Sequence, residues 1–297
     1  MRAALEQVLQ KLSGLTQFAD YPELPDALAS ARSMVVAFYY QDHQVLLPDG
    51  SSLPEQRLVA NFSQRAVDEL RVRLQLPRWK PERRAINAWP IVDDGQERRI
   101  MPIELQYAWT GMAELAENRG MPIDWPKAGE DGEYPADVQL LWGGYTEELN
   151  DDGLAQTLVI AARQDGPEWN VRMNLDYEGL RWSERFRGIE LVSILQQGLN
   201  QAIDQVAANN SIAASELGDW AVDIMVTQVT NSKDYARCLA YLQGLSLVES
   251  VTVKSASAGV VNFTLALNAA PEHLQQYFDA GDTLLMTEDA GVYQLLP

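Results

Sequence analysis

The chain is short of the side chains on which most neutral-pH chemistry depends. Its 297 residues include one cysteine, Cys238, and two histidines, His43 and His273. One cysteine excludes an intrachain disulfide and any Cys-based zinc or thiol-redox motif. The histidines lie far apart in polar neighbourhoods, so they form no local metal pair, and each reads most simply as a surface residue. No apolar run approaches the roughly 20 residues that a membrane-spanning helix needs. Positive charge is scarce as well: 23 Lys and Arg stand against 42 Asp and Glu, a net charge of -19. Such a surface repels phosphate backbones and anionic lipid, which argues against nucleic-acid binding and polybasic membrane attachment. No G-x-S-x-G elbow, internal repeat or low-complexity tract is present.

What is abundant is packing material, since 46% of the residues are hydrophobic and eight are Trp. The opening "RAALEQVLQKLSG" carries Leu5, Val8, Leu9 and Leu12 on one helical stripe, stopped by Gly14. It has no Ser, Thr, Asp or Asn at its start, and Arg2 lies where a cation is least favoured. "SMVVAFYYQ" and "RLVANF" are β-rich runs joined through Pro-Asp-Gly-Ser-Ser, which predicts a hairpin with His43 in its long tip. Ser63 then caps a helix with Val67, Leu70 and Leu74 turned inward. "AINAWPIVDD" predicts a strand broken by Pro90, and a helix follows with Leu105, Ala108, Met112 and Leu115 on its stripe.

The clearest β signal lies further on. "VQLLWGGYTEEL", "GLAQTLVIAARQ", "EWNVRMNLDYEG" and "LRWSERFRG" are four successive strand candidates separated by turn residues. Trp169, Val171, Met173, Leu175 and Tyr177 alternate with polar residues, the pattern of an antiparallel meander buried on one face. A helix over about 189–208 covers it. The small, polar "NNSIAASELGD" reads as a linker. Beyond it the order strand, helix, strand, strand, helix, strand is that of the ferredoxin-like βαββαβ unit, with "GVYQLLP" as an added edge strand. The expected fold is α+β (mixed α/β): an antiparallel-rich sheet with covering helices over 1–210, a linker over 211–219 and a ferredoxin-like domain over 220–297.

Taken together, "ALEQVLQKLSG", "LVANFSQRAVDELRVRLQLPRWKPERRAINAWPIV", "ENRGMPIDWP" and "LLWGGYTE" resemble the secreted domain-of-unknown-function family 2066 of Gram-negative bacteria. The chain departs from that family at Arg84-Ala85, where members often carry Arg-Pro. The resemblance implies an export signal and a further strand ahead of Met1, and hence a periplasmic protein. If Met1 is the true start, a cytoplasmic setting is expected instead.

No constellation of catalytic residues stands out, and neither a metal nor a cofactor is expected. Cys238 shares a helical stripe with Tyr235, Leu239 and Leu242 and reads as a small core residue. The acidic pairs Glu147/Glu148 and Asp151/Asp152 read as a solvated hairpin end. The one local anomaly is "RVRLQLPRWKPERRAINAW", a basic cluster set among aromatics in an acidic protein. Arg78, Trp79, Lys80, Arg83, Arg84 and Trp89 are therefore the candidate binding residues. The simpler reading of the same cluster is a solvated face paired with the protein's own carboxylates. The expected function is a non-enzymatic interaction protein of the cell envelope with a protein partner. The alternatives are a hydrolase or other enzyme with a site at the domain junction, and a small-molecule sensor acting through the C-terminal domain.

Overall fold

Helix α1 (Arg2–Ser13) forms on the predicted stripe, with Leu5 and Leu9 fully buried. Gly14 ends it at φ 77°, a left-handed conformation in which its N–H reaches Gln10 O. The structure is a computed structural model and describes all residues except 131, 147–155, 258 and 280–282. The acidic pairs Glu147/Glu148 and Asp151/Asp152 lie outside the described residues. Two units make up the chain: Met1–Leu74 with Arg84–Asn209, and Gln75–Arg83 with Asn210–Pro297.

In the first unit, α1 is followed by α2 (Leu24–Ala29), the hairpin β1 (Val35–Leu46) and β2 (Ser52–Phe62), and α3 (Gln64–Arg73). Ser63 caps α3 as expected, its Oγ accepting from Ala66 N–H. The main sheet has the order β5-β4-β7-β8-β9, with β6 beside the start of β4. Its strands are β4 (Ile86–Asp93), β5 (Arg98–Ile100), β6 (Ile123–Asp124), β7 (Gln156–Asp165), β8 (Glu168–Tyr177) and β9 (Leu180–Gly188). Helix α4 (Gln106–Arg119) lies between β5 and β6 in the chain. β4 and β7 run parallel, whereas β7, β8 and β9 form the antiparallel meander.

Two local expectations need correction. Pro90 does not break its strand: β4 runs through it from Ile86 to Asp93, and the Pro90 carbonyl accepts from Met101 N–H at 3.0 Å. Proline removes a donor but keeps its acceptor. "VQLLWGGYTEEL" is not a strand over its described part but helix α5 (Val138–Gly143). Asp137 caps it by accepting from Gln139 and Leu140 N–H, and Gly144 ends it at φ 91°. Good caps at both ends outweigh the β propensity of so short an apolar run. Gly144 is therefore a helix terminator.

Helix α6 (Leu191–Asn210) lays Leu195, Leu199, Ala202 and Val206 against the meander face carrying Val171, Met173 and Leu175, all buried. At Gly198 the approach is close: an added Cβ would meet Met173 Sδ at 2.6 Å and Phe186 Cε2 at 2.9 Å. Arg119, 3% exposed at the end of α4, holds three segments together. It donates to Gly14 O (2.9 Å), Asn200 Oδ1 (2.9 Å) and Asp204 Oδ1 (2.8 Å), joining the end of α1 to α6.

The second unit begins where a linker was expected. β10 (Ser211–Ile212) follows α6 directly and pairs with β3 (Arg78–Trp79), and Ile212 is fully buried. Next come β11 (Leu217–Thr227), α7 (Ser232–Gly244), β12 (Val248–Ser257), β13 (Val260–Ala269), α8 (Leu274–Asp279), β14 (Leu284–Met286) and β15 (Val292–Leu295). The sheet order is β12-β13-β11-β15-β14. β13 sits between β11 and β12, as in a split β-α-β unit. β15 departs from expectation, because it is no edge strand: it runs parallel to β11 and separates it from β14. Tyr293 and Leu295 of β15 are buried, whereas β14 buries only Leu284, so the longer apolar strand takes the inner place. The core of this unit gathers Ile224, Val226, Cys238, Leu242, Phe263, Leu265 and Phe278.

Candidate functional site

Among the described residues, the β1–β2 hairpin is a two-stranded sheet of its own, with neither outer edge paired. Its register sets two faces, since cross-strand partners and residues two apart share a side. One face carries Tyr39 opposite Val59, Gln41 opposite Arg57 and His43 opposite Glu55. His43 is thus within β1 and not in the tip. From this face His43 Nε2 lies 2.7 Å from Glu114 Oε1, and Arg57 Nη2 donates to Glu114 Oε2 at 3.0 Å. Glu114 belongs to α4, so this side of the hairpin is clamped to the body of its unit. Burial pushes the Glu114 carboxyl up, but hydrogen bonds from Arg57 and His43 outweigh it and hold the group below its ordinary value.

Among the described residues, the other face has no such clamp and is largely open, although Tyr39 on the clamped face is itself 53% exposed. The open face pairs Phe38 with Ala60 and Tyr40 with Leu58. Phe38 is 55% exposed, Tyr40 62% and Leu58 37%, and Val36 beside them is 72% exposed. Ala60 continues this strip into a shallow cleft of about 370 Å³, whose apolar lining is Val8, Leu12, Phe62 and Val67. A contiguous apolar strip of this kind on a surface marks a docking site more often than chance. An isolated two-stranded hairpin is only marginally stable in water, so this one depends on its clamp.

The six candidate binding residues occupy different environments. Trp79 and Lys80 are buried at 2% and 1% exposure. Lys80 Nζ donates to Gln276 O at 2.9 Å and lies 5.9 Å from the Tyr277 ring centroid. The Arg83 guanidinium stacks on Trp79 at 3.6 Å and donates through Nε to Lys80 O. Arg78 donates to Asn268 Oδ1 and Ser246 O, and Glu82 accepts from Ser246 N–H at 2.7 Å. These contacts fasten Gln75–Arg83 into the second unit. Trp89 instead belongs to a core of the first unit with Ile91, Ile100, Leu141 and Val159. Arg84 O accepts from Tyr177 Oη at 2.9 Å, also within the first unit.

Other chemistry-bearing residues are held by neighbours. His273 Nε2 lies 3.1 Å from Glu216 Oε2. Neither histidine–carboxylate pair lines the cleft beside Ala60. Cys238 is fully buried, and burial pushes its thiol up to about 11, so it stays protonated at neutral pH. Among the described residues, no group of three or more His, Cys, Asp or Glu is arranged to hold a metal ion. No described helix is long and apolar enough to cross a membrane.

Residues 1–80 match the model of a domain of unknown function (DUF8605). The matched stretch contains α1, α2, the entire β1–β2 hairpin and α3. No curated protein matches the chain.

Proposed function

We propose that this protein is a non-enzymatic interaction protein whose solvent-facing hairpin surface receives an apolar segment of a protein partner. The observation that carries the reading is the strip Phe38, Tyr40 and Leu58, exposed beside the half-buried Ala60, while the opposite face is fixed to α4 by His43, Arg57 and Glu114. A hairpin anchored on one side and apolar on the other is held ready for docking, and its unpaired edges can also accept an added strand.

We place the protein in the periplasm as an accessory of the cell envelope, on the strength of the motif resemblance to family 2066. The experiment is affinity capture from the envelope fraction of the native source, using wild type beside F38T/Y40T. These are exposed positions, where substitutions usually shift stability by no more than about 0.5 kcal/mol. The variant is expected to keep its melting temperature and lose the captured protein. Equal capture by both chains rejects the hairpin as the docking surface, and a chain absent from the envelope fraction rejects the setting.

A further inference from the structure

The meander's second face carries a feature that the interaction reading does not use. Opposite α6, three strands place arginines side by side. Arg172 of β8 stands directly across from Arg185 of β9, and Arg163 of β7 and Arg187 of β9 flank Asn170 of β8 in the next row. Ala161, the β7 partner of Arg172, keeps that row open. Together with Trp142 of α5 these residues line a cleft of about 580 Å³, the size of a small-molecule site.

Like charges directly across a sheet repel, and a protein with 42 acidic residues has ample carboxylates to relieve them. Among the described residues, relief is present at the rim. Arg187 Nε donates to Glu168 at 2.7 Å. Asp93, the β4 neighbour of Arg163, is hydrogen-bonded by Arg98 and Gly95 and also lies in the field of the Arg163 charge. Among the described residues, the Arg172 and Arg185 guanidiniums meet no carboxylate, although the Arg185 backbone N–H donates to Glu184 Oε1 at 3.3 Å. Arg172 donates one Nη to the Trp142 carbonyl, while its buried Nε has no hydrogen-bond partner. Burial lowers its pKa from the ordinary guanidinium value, and the Arg185 charge adds to the effect. The Trp142 ring is held in place by the Arg98 guanidinium, 4.6 Å from its centroid.

We propose that this cleft binds a small molecule through a multiply charged oxyanion group, phosphoryl or polycarboxylate, set between Arg172 and Arg185. Guanidinium forks grip such groups with paired hydrogen bonds, and the bound charge cancels the repulsion between the strands. Asn170 supplies a neutral donor beside them, and Trp142 walls the cleft with an aromatic surface. The inference is independent of the hairpin's role.

The test titrates pyrophosphate and citrate separately into the full chain at low salt, by calorimetry and by thermal unfolding. Saturable binding at one site per chain is expected, with a rise in melting temperature. R172Q and R185Q should each weaken it about tenfold or more, the equivalent of one lost charged hydrogen bond. R73Q, an exposed arginine of α3 outside the cleft, should bind as wild type. Without anion, R185Q should melt at or above the wild-type temperature, because a like charge has been removed; this separates lost binding from lost folding. Preference for pyrophosphate or for citrate assigns the ligand as phosphoryl or polycarboxylate. No saturable binding of either anion, or unchanged binding in R172Q and R185Q, overturns the proposal.

Discussion

Glu114 is the residue on which the hairpin's position turns. It accepts from both His43 and Arg57, and its carboxyl is held below its ordinary value in the folded chain. A depressed acid contributes its stabilisation in full above the unfolded carboxyl range, near pH 4.3, and loses it as pH falls through the lower folded value. The hairpin should therefore stay clamped at neutral pH and loosen only in acid. In E114Q, loosening is expected at neutral pH at a cost of roughly 1 kcal/mol, between an exposed ion pair and a charged hydrogen bond. Amide exchange across β1 and β2, read for wild type and E114Q at neutral and acid pH, checks this. A hairpin equally protected in all four conditions contradicts it. Arg119 holds its place in the core by a similar logic: burial of its charge is matched by Gly14 O, Asn200 and Asp204. Nothing in "ENRG" announces this, because its partners come from the end of α1 and the middle of α6.

At the scale of elements, the close seat of α6 on the meander makes Gly198 a sensitive point. Adding a methyl group gains helix propensity but forces Met173 and Phe186 out of contact distance. G198A should lower stability, and G198V should lower it further, within the range of about 1–3 kcal/mol typical of overpacking. Urea unfolding of the two variants measures it, and a stabilised G198A would show that the sheet face yields freely. Elements governed by their own periodicity could be read from the residues alone. The alternation from Val171 to Tyr177, the stripe of α1, the helix over about 189–208 and the turn between β1 and β2 all agree with the structure. Where competing local signals were balanced, the reading failed. In "VQLLWGG" apolar composition suggested a strand, whereas Asp137 and Gly144 cap a helix. Pro90 seemed a breaker, yet only its donor is missing.

At the scale of the molecule, what remained hidden was non-local. The cluster Arg78 to Arg84 is dense in sequence but lies in environments that range from the buried Trp79 and Lys80 to partly exposed arginines. The arginines of β7, β8 and β9 are scattered in sequence, and only strand register brings them to one cleft. The capture of Gln75–Arg83 by the second unit, and the insertion of β15 beside β11, also depend on pairings between distant segments. The proposed docking surface was half legible: "VVAFYY" was visible as a strand, but which of its faces is clamped depends on Glu114, more than 70 residues away.

The most direct measurement of the central claim is hydrogen exchange on the complex recovered by affinity capture, compared with the free chain. The account predicts new protection concentrated at residues 36–40 and 58–60, with the α4 side of the hairpin unchanged. Protection that falls elsewhere, with these residues exchanging as in the free chain, would contradict it.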